Sequence, residues 1–402
     1  MKKYLNLPSI YTILVIVHVI LGYYEIPTTV FRIVYVPRYL LEIWFVFKGL
    51  KYITSSTYMK ALSVLVVVFL IYGSLLIMVG VDSSWKLSGD WGLLFINDYV
   101  ISLIPIFVFF YFGVTSQIDE NWFSKVCVLF IICAFIEYNS ARVALVLNNV
   151  SESSESFVNN MGYSLISLIP VLLFLKRPII QYTVIILIYV FVLFSYKRGA
   201  IITCSVAFLL FLFLRVKEQW KTNKVILLIL SLGAIIIGAQ YLQNMFTQDD
   251  VFQARYLKSF EGGSHRESLY PEIMNYLFND NNAFTFMFGN GAYATCKYFA
   301  SMAHNDWLEF AMDFGLVGLI LYIRYWIALY ETAKQSRRGE SKEVSDAILL
   351  FAIIYLIPTV FSMSFSSINI YSGSVMGFCA GYLARANKYS KKMIVSNKTF
   401  RS

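Results

Sequence analysis

Apolar residues run through this chain in long stretches, separated by short clusters of charged, glycine and turn-forming residues. Stretches of about 20 residues match the hydrocarbon thickness of a bilayer when coiled as single helices. They lack the strict alternation that strands of a membrane barrel require. Runs bounded by charges predict spans over residues 5–24, 33–50, 59–80, 92–114, 122–138, 161–175, 178–195, 199–216, 224–242, 305–330, 345–365 and 369–385. Arg32, Arg38 and Glu42 interrupt the second. The pattern predicts an all-α polytopic integral membrane protein of about 12 transmembrane helices. Residues 1–402 form a single membrane domain, with a long external loop, residues 241–303, before the tenth helix.

Composition removes the main alternative. Of 402 residues, 58% are hydrophobic and 14% charged, whereas soluble domains run at about a quarter charged. A soluble enzyme with an anchor is excluded. The net charge of +9 points to topology and not to nucleic acid, because Lys and Arg accumulate in cytoplasmic loops. With both termini cytoplasmic, most of the 33 basic residues fall inside. Lys2 and Lys3 precede an apolar run that lacks a small-residue cleavage site, so the first span is expected to stay attached. Four of the five cysteines lie in apolar runs and only Cys296 in a polar loop, which leaves no disulfide framework. His18, His265 and His304 share no ligand spacing with the cysteines. The expectation is a metal-independent protein without a cofactor.

Several polar residues stand out against this background. "SYKRGAII" places Lys197 and Arg198 at the non-cytoplasmic end of the eighth span, where the positive-inside rule disfavours them. Two readings stand: snorkelling to the interface, or an anion site in which a guanidinium grips a phosphate with paired hydrogen bonds. In the long loop, "GGSHRESLYPEIMNYLFND" predicts a helix from about Arg266, with Leu269, Ile273, Tyr276 and Leu277 at helical spacing. A cation in that first turn opposes the helix dipole, which favours ligand binding unless Glu267 or Glu272 pairs with it. Arg255 and Lys258 could line the same site or solvate the loop, the second being the better account of Lys258. The loop's aromatics could stack on sugar rings, although packing at the membrane interface explains most of them.

Further on, "GNGAY" lacks the glycine spacing of a dinucleotide site. In "HNDWLE", Asp306 followed by Glu309 has capping-box spacing, which would make Asp306 the N-cap and leave His304 two residues before the helix. Asp313, Asp98 and Glu137 lie within predicted spans, where a carboxylate usually faces a polar interior. Glu42 has Arg38 four residues before it and a simple pairing explains it. His18 reads as a buried hydrogen-bonding residue.

Taken in order, "SYKRGAII", Arg266, "GNGAY" and "AHNDWLEFAMDFGLVGLILY" resemble the O-antigen polymerase and O-antigen ligase superfamily of bacterial membrane glycosyltransferases. The likeness covers about Ser195 to Tyr322 and depends on the combination; the first 190 residues match only in hydropathy. It implies an enzyme of the bacterial inner membrane that takes a glycan from undecaprenyl diphosphate at the outer face. Polymerases add the glycan to another lipid-linked repeat unit, and ligases add it to the lipid A core.

The resemblance implies catalytic roles for Arg198, Arg266 and His304, and substrate contacts at Lys197, Arg255, Tyr270, Asp306 and Glu309. A chain-length regulator and a flippase are the further partners it implies, beside the lipid bilayer. The chain departs from the family pattern at Pro271, directly after the aromatic Tyr270. The ten-residue-spaced arginine and glycine motifs of some polymerases are absent. The residues suit the chemistry independently: arginines can stabilise a diphosphate leaving group, and His304, or a carboxylate such as Asp306 or Glu309, can act as base. A polymerase is favoured over a ligase. A flippase or transporter, using Asp98, Glu137 and Asp313 along a pathway, is the alternative of another class; no internal symmetry of halves supports it.

Overall fold

The computed structural model describes residues 6–22, 28–79, 91–148, 159–218, 233, 240, 265–337 and 342–399. Among them every regular element is helical. Six helices are long and apolar enough to cross a membrane, and three shorter apolar ones accompany them. The chain is thus a polytopic helical membrane protein. The predicted span at 224–242, apart from residues 233 and 240, and the loop residues 241–264, Arg255 and Lys258 among them, lie outside the described residues.

The first part of the chain forms α1 (Leu7–Leu21), α2 (Thr28–Leu50), α3 (Thr57–Val79), α4 (Trp91–Tyr99), α5 (Ile104–Thr115) and α6 (Glu120–Asn148). The doubtful second span is a helix after all. Arg38 and Glu42 pair at 2.9 Å one turn apart, and the Tyr11 hydroxyl donates to the same carboxylate at 3.1 Å. The predicted fourth span is matched by Trp91–Thr115, long and apolar enough to cross a membrane, but its helix is interrupted by a short 3-10 turn over Ile101–Leu103, followed by Pro105, between α4 and α5. Proline lacks the N–H a continuing helix needs.

The predicted sixth span is likewise two short pieces, α7 (Gly162–Ile166) and α8 (Ile169–Leu172). Next come α9 (Pro178–Leu193) and α10 (Arg198–Glu218). The described part of the long loop holds α11 (His265–Asn275), α12 (Ala283–Phe288) and α13 (Ala294–Phe299). The chain closes with α14 (Asp306–Ser336), α15 (Lys342–Leu356) and α16 (Ile370–Thr399).

At the centre, α5 lies directly against α16. A Cβ added at Gly377 or Gly381 would strike the main chain of Ile106 or Phe110, so small residues set the close approach, as they do between membrane helices. Around this pair the core is strongly aromatic: Phe123 stacks on Phe378 at 4.1 Å, and Phe45 meets Phe112 edge-on at 4.8 Å. Turns predicted to share one side of the membrane gather at a common end. Arg385 bonds to Ser116, while at the opposite end the Asn159 N–H donates to the Ser195 carbonyl at 2.9 Å.

The predicted tenth span is not one straight rod. In a continuous helix, Asp306 and Tyr322 would stand about 24 Å apart along the axis. Their side chains instead meet at 2.8 Å, and Phe310 stacks on Tyr322 at 4.0 Å. Gly315, with φ 65° and ψ −162°, reverses the chain, a conformation essentially restricted to glycine. Residues 306–314 therefore fold back onto the span proper, which begins beyond Gly315.

A Cβ at Gly315 would also run into the main chain of Gly289 and Met287. Gly315→Ala should accordingly destabilise the protein by at least about 1–3 kcal/mol through backbone strain alone. Gly22→Ala, where an added Cβ meets its neighbours at 3.4 Å or more, should be near neutral. Thermal unfolding in detergent, followed by size-exclusion chromatography, compares the two; equal stability would refute the reversal at Gly315.

Candidate active site

Three carboxylates on the fold-back segment organise the site end of the bundle, and all are buried: Asp306, Glu309 and Asp313. Each has its oxygens engaged. Asp306 accepts from the Ser364 N–H at 2.9 Å, the Phe365 N–H at 3.0 Å and the Tyr322 hydroxyl at 2.8 Å. Glu309 accepts from the Thr295 hydroxyl at 2.6 Å and the Ala303 N–H at 2.5 Å. Asp313 accepts from the N–H groups of Tyr293 at 3.1 Å and Ala294 at 2.8 Å. A net contribution of about 0.5–1.5 kcal/mol for each such hydrogen bond makes these side chains clamps between loops.

The capping expectation is corrected. Asn305, not Asp306, is the N-cap: its Oδ1 accepts from the Trp307 and Leu308 N–H groups at 3.0 and 3.2 Å, while its Nδ2 donates to the Val360 carbonyl at 3.0 Å. Glu309 is then one position too late for a capping box and turns to α13 instead. His304 sits directly before the cap in a left-handed conformation, φ 51°. Its main chain is held by Glu309 through Ala303 on one side and by the Asn305 cap on the other, and its imidazole is exposed.

"GNGAY" has a structural role. The Asn290 and Gly291 N–H groups donate to the carbonyls of Met312 and Asp313 at 2.8 and 3.1 Å, satisfying the orphan end of the fold-back helix. The Tyr293 ring then inserts edge-on between Trp91 and Phe95 of α4, and its hydroxyl donates to Asp98 at 3.2 Å. Burial, followed by the Asp98 charge, raises its phenol above the ordinary range. The predicted helix at Arg266 is present as α11, starting at His265, with Leu269, Ile273 and Leu277 in a small second core beside Ala303 and Met312. Tyr270 packs half-buried against that core. Arg266 lies in the first turn of α11, and the helix is thereby tied to the residue preceding His304.

The basic side is built across a hairpin, residues 357–369, between α15 and α16. Arg198 opens α10 with an exposed side chain, and Lys197 precedes it half-buried. Adjacent Gly199 faces the Phe361 ring and the Tyr163 hydroxyl so tightly that a Cβ would collide with both. Val360, next in the hairpin, accepts from Asn305, and Trp307 donates to the Thr359 hydroxyl at 3.0 Å. The Lys197–Arg198 pair and His304 thus flank one short segment, residues 359–361.

A further cation joins them. Arg142 of α6 lies 5.8 Å from the Tyr196 ring and donates to the Phe194 carbonyl at 3.5 Å. The sequence did carry a signal for it, since Arg142 is another basic residue in a predicted outer segment. Among the described residues, no three His, Cys, Asp or Glu side chains gather in a way that could hold a metal ion.

This arrangement defines a helical membrane protein with a polar site at one end, made from the start of α10, the loop before α14 and the hairpin before α16. Residues 183–323 match the family model described as O-antigen ligase. The match bears out, over this segment, the resemblance to the O-antigen polymerase and ligase superfamily read from the sequence. It spans α10 through the fold-back and holds Lys197, Arg198, Arg266 and His304. No curated protein matches the chain.

Cys296, expected in an open polar loop, is buried instead, as are the other four cysteines. Burial, then the nearby Glu309 and Asp313 charges, pushes its thiol up to about 12. At pH 8 it therefore stays protonated, and only the thiolate reacts. The folded protein should resist a maleimide at pH 8 and take up the reagent after denaturation; rapid labelling of the native protein at Cys296 would contradict this packing.

Proposed function

We propose that the protein is a surface-polysaccharide (O-antigen) polymerase, transferring a glycan from undecaprenyl diphosphate onto another lipid-linked repeat unit at the outer face of the bacterial inner membrane. What supports this reading is that the neighbours of Arg198 and His304, both within the family-matched segment, meet one stretch of chain: Gly199 faces Phe361 and Asn305 donates to Val360. A diphosphate leaving group gains charge as the glycosidic bond breaks. Arg198, with Lys197 and Arg142 beside it, supplies preorganised positive charge there. Arg266, and Arg255 in the same loop, would complete the clamp.

His304 is the base in this scheme. As the acceptor hydroxyl oxygen bonds to the anomeric carbon, its proton passes to the imidazole, and the carbon–oxygen bond to phosphate breaks to release undecaprenyl diphosphate. No step calls on a metal. Asp306 and Glu309 hold the loops that aim His304, which makes them positioning residues, and Tyr270 supports α11. The description of the matched family favours one second reading, a ligase that passes finished polymer to the lipid A core.

The product pattern separates the two. Arg198→Ala and His304→Ala should each leave single repeat units on the lipid A core, with protein level and membrane insertion unchanged. Loss of a positioned base costs about 10²- to 10⁴-fold in rate, and Arg198→Lys should rescue little because it loses the planar fork. A bare core with polymer accumulating on undecaprenyl diphosphate would identify a ligase. An unchanged ladder in both alanine variants would remove the transferase reading.

The orientation, with about 12 spans, cytoplasmic termini and residues 241–303 outside, is testable in the same cells. Asp280→Cys, at an exposed position in a protein whose native cysteines are buried, should react with an impermeant thiol reagent in intact spheroplasts. Protection until lysis would invert the topology.

A further inference from the structure

Four ionisable residues that the transferase scheme leaves unused converge on one place. His18 of α1, Arg38 of α2, Asp98 of α4 and Glu137 of α6 line a single cavity of about 550 Å³. Sequence alone left them scattered among four predicted spans. Ionisable groups at membrane depth are costly and usually mark a binding or transport path, and the volume is that of a small-molecule site. The remaining side of the cavity is the hairpin itself, through Ser366 and Asn369.

The charge balance restricts what can enter. Arg38 is already paired with Glu42 at 2.9 Å, and the wall carries two carboxylates, Glu137 and Asp98, the latter accepting from Tyr293 and Asn97. An anionic diphosphate would be repelled. Hydroxyl groups, by contrast, donate readily to carboxylates and to the amide oxygen of Asn97, which also lines the space. Tyr39 on the same wall offers an aromatic face with a polar tip, the kind of surface a sugar ring covers. Arg142, Lys197 and Arg198 do not line this cavity; Arg142 lies beside Tyr196, next in sequence to the other two.

Two contacts join the cavity to the loops around His304. Asp98 accepts from the Tyr293 hydroxyl, and the Ser366–Asn369 wall follows directly on Ser364 and Phe365, which Asp306 holds. We propose that this cavity is the subsite for the acceptor saccharide, a polyhydroxylated ring system without phosphate, entering beside α1, α2 and α6 while the diphosphate donor occupies the basic side. The proposal rests on the transferase reading for the word acceptor; the saccharide site itself is tested by binding.

The test uses the full-length protein in lipid nanodiscs with Ser366→Cys as reporter, since the native cysteines are buried. One probe is the oligosaccharide freed by mild acid from the strain's own undecaprenyl-diphosphate-linked pool, and the other is inorganic pyrophosphate. The oligosaccharide should slow thiol labelling at position 366, and pyrophosphate should not. Adding Glu137→Gln or Asp98→Asn, both nearly isosteric, should raise the concentration for half-protection about tenfold, as expected for loss of a charge-assisted hydrogen bond. Equal protection in the reporter alone and in both variants, or protection by pyrophosphate in place of the sugar, overturns the proposal. Sugar protection that persists in Arg198→Ala while polymer is lost supports both sites as separate. Unimpaired polymer in Arg198→Ala and His304→Ala would sink the transferase reading and leave the binding result standing.

Discussion

The buried carboxylate of Asp306 is the interaction on which the site end depends. It ties three separate pieces of chain at once: the start of α14, the span beyond Gly315 through Tyr322, and the hairpin before α16 through the main chain of Ser364 and Phe365. A buried ionised group without partners is very costly, so this geometry is the one in which Asp306 is satisfied. The hairpin is thereby fixed against α10, and Phe361 meets Gly199 beside Arg198. Glu309 and Asp313 repeat the arrangement one turn apart, each holding a different stretch of the loop that carries His304 and "GNGAY".

Much of the helical architecture was legible because a bilayer demands long apolar runs, and the runs bounding α3, α9 and α10 are uninterrupted. What the runs do not show is where a helix breaks without losing hydrophobicity. Ile101–Leu103 and the α7–α8 pair are as apolar as the helices around them, so hydropathy registers nothing while Pro105 and Pro170 end the ladders. Gly315 is a harder case: one glycine in an apolar run is compatible with a continuous helix, and only the distant contact between Asp306 and Tyr322 reveals the reversal. For the candidate site, basic residues on the side that the charge rule disfavours singled out Lys197 and Arg198 as candidates. The same signal was present at Arg142, yet its relevance depends on the packing of α6 against Tyr196, which spacing along the chain does not encode.

The carboxylates show a related limit. Asp306, Glu309 and Asp313 lie at intervals that read equally well as a cap, a substrate contact or a pathway. Their partners are spread along the sequence from Tyr293 to Phe365, and only the fold distinguishes a clamp from a ligand. Asp98 and Glu137, which hydropathy placed in different spans, share a cavity for the same reason.

The long reach of Asp306 also has a consequence for biosynthesis. Its partner Phe365 lies 59 residues downstream, and a ribosome adding about 5–20 residues per second needs roughly 3–12 seconds to supply it. During that interval the carboxylate has to be hydrated, so the fold-back segment waits at the aqueous surface while α14 and α15 are threaded into the bilayer. The site is therefore closed late, by the arrival of the hairpin and the last helix, and an incomplete chain held at the translocon has Arg198 and His304 in place without the segment that brings them together.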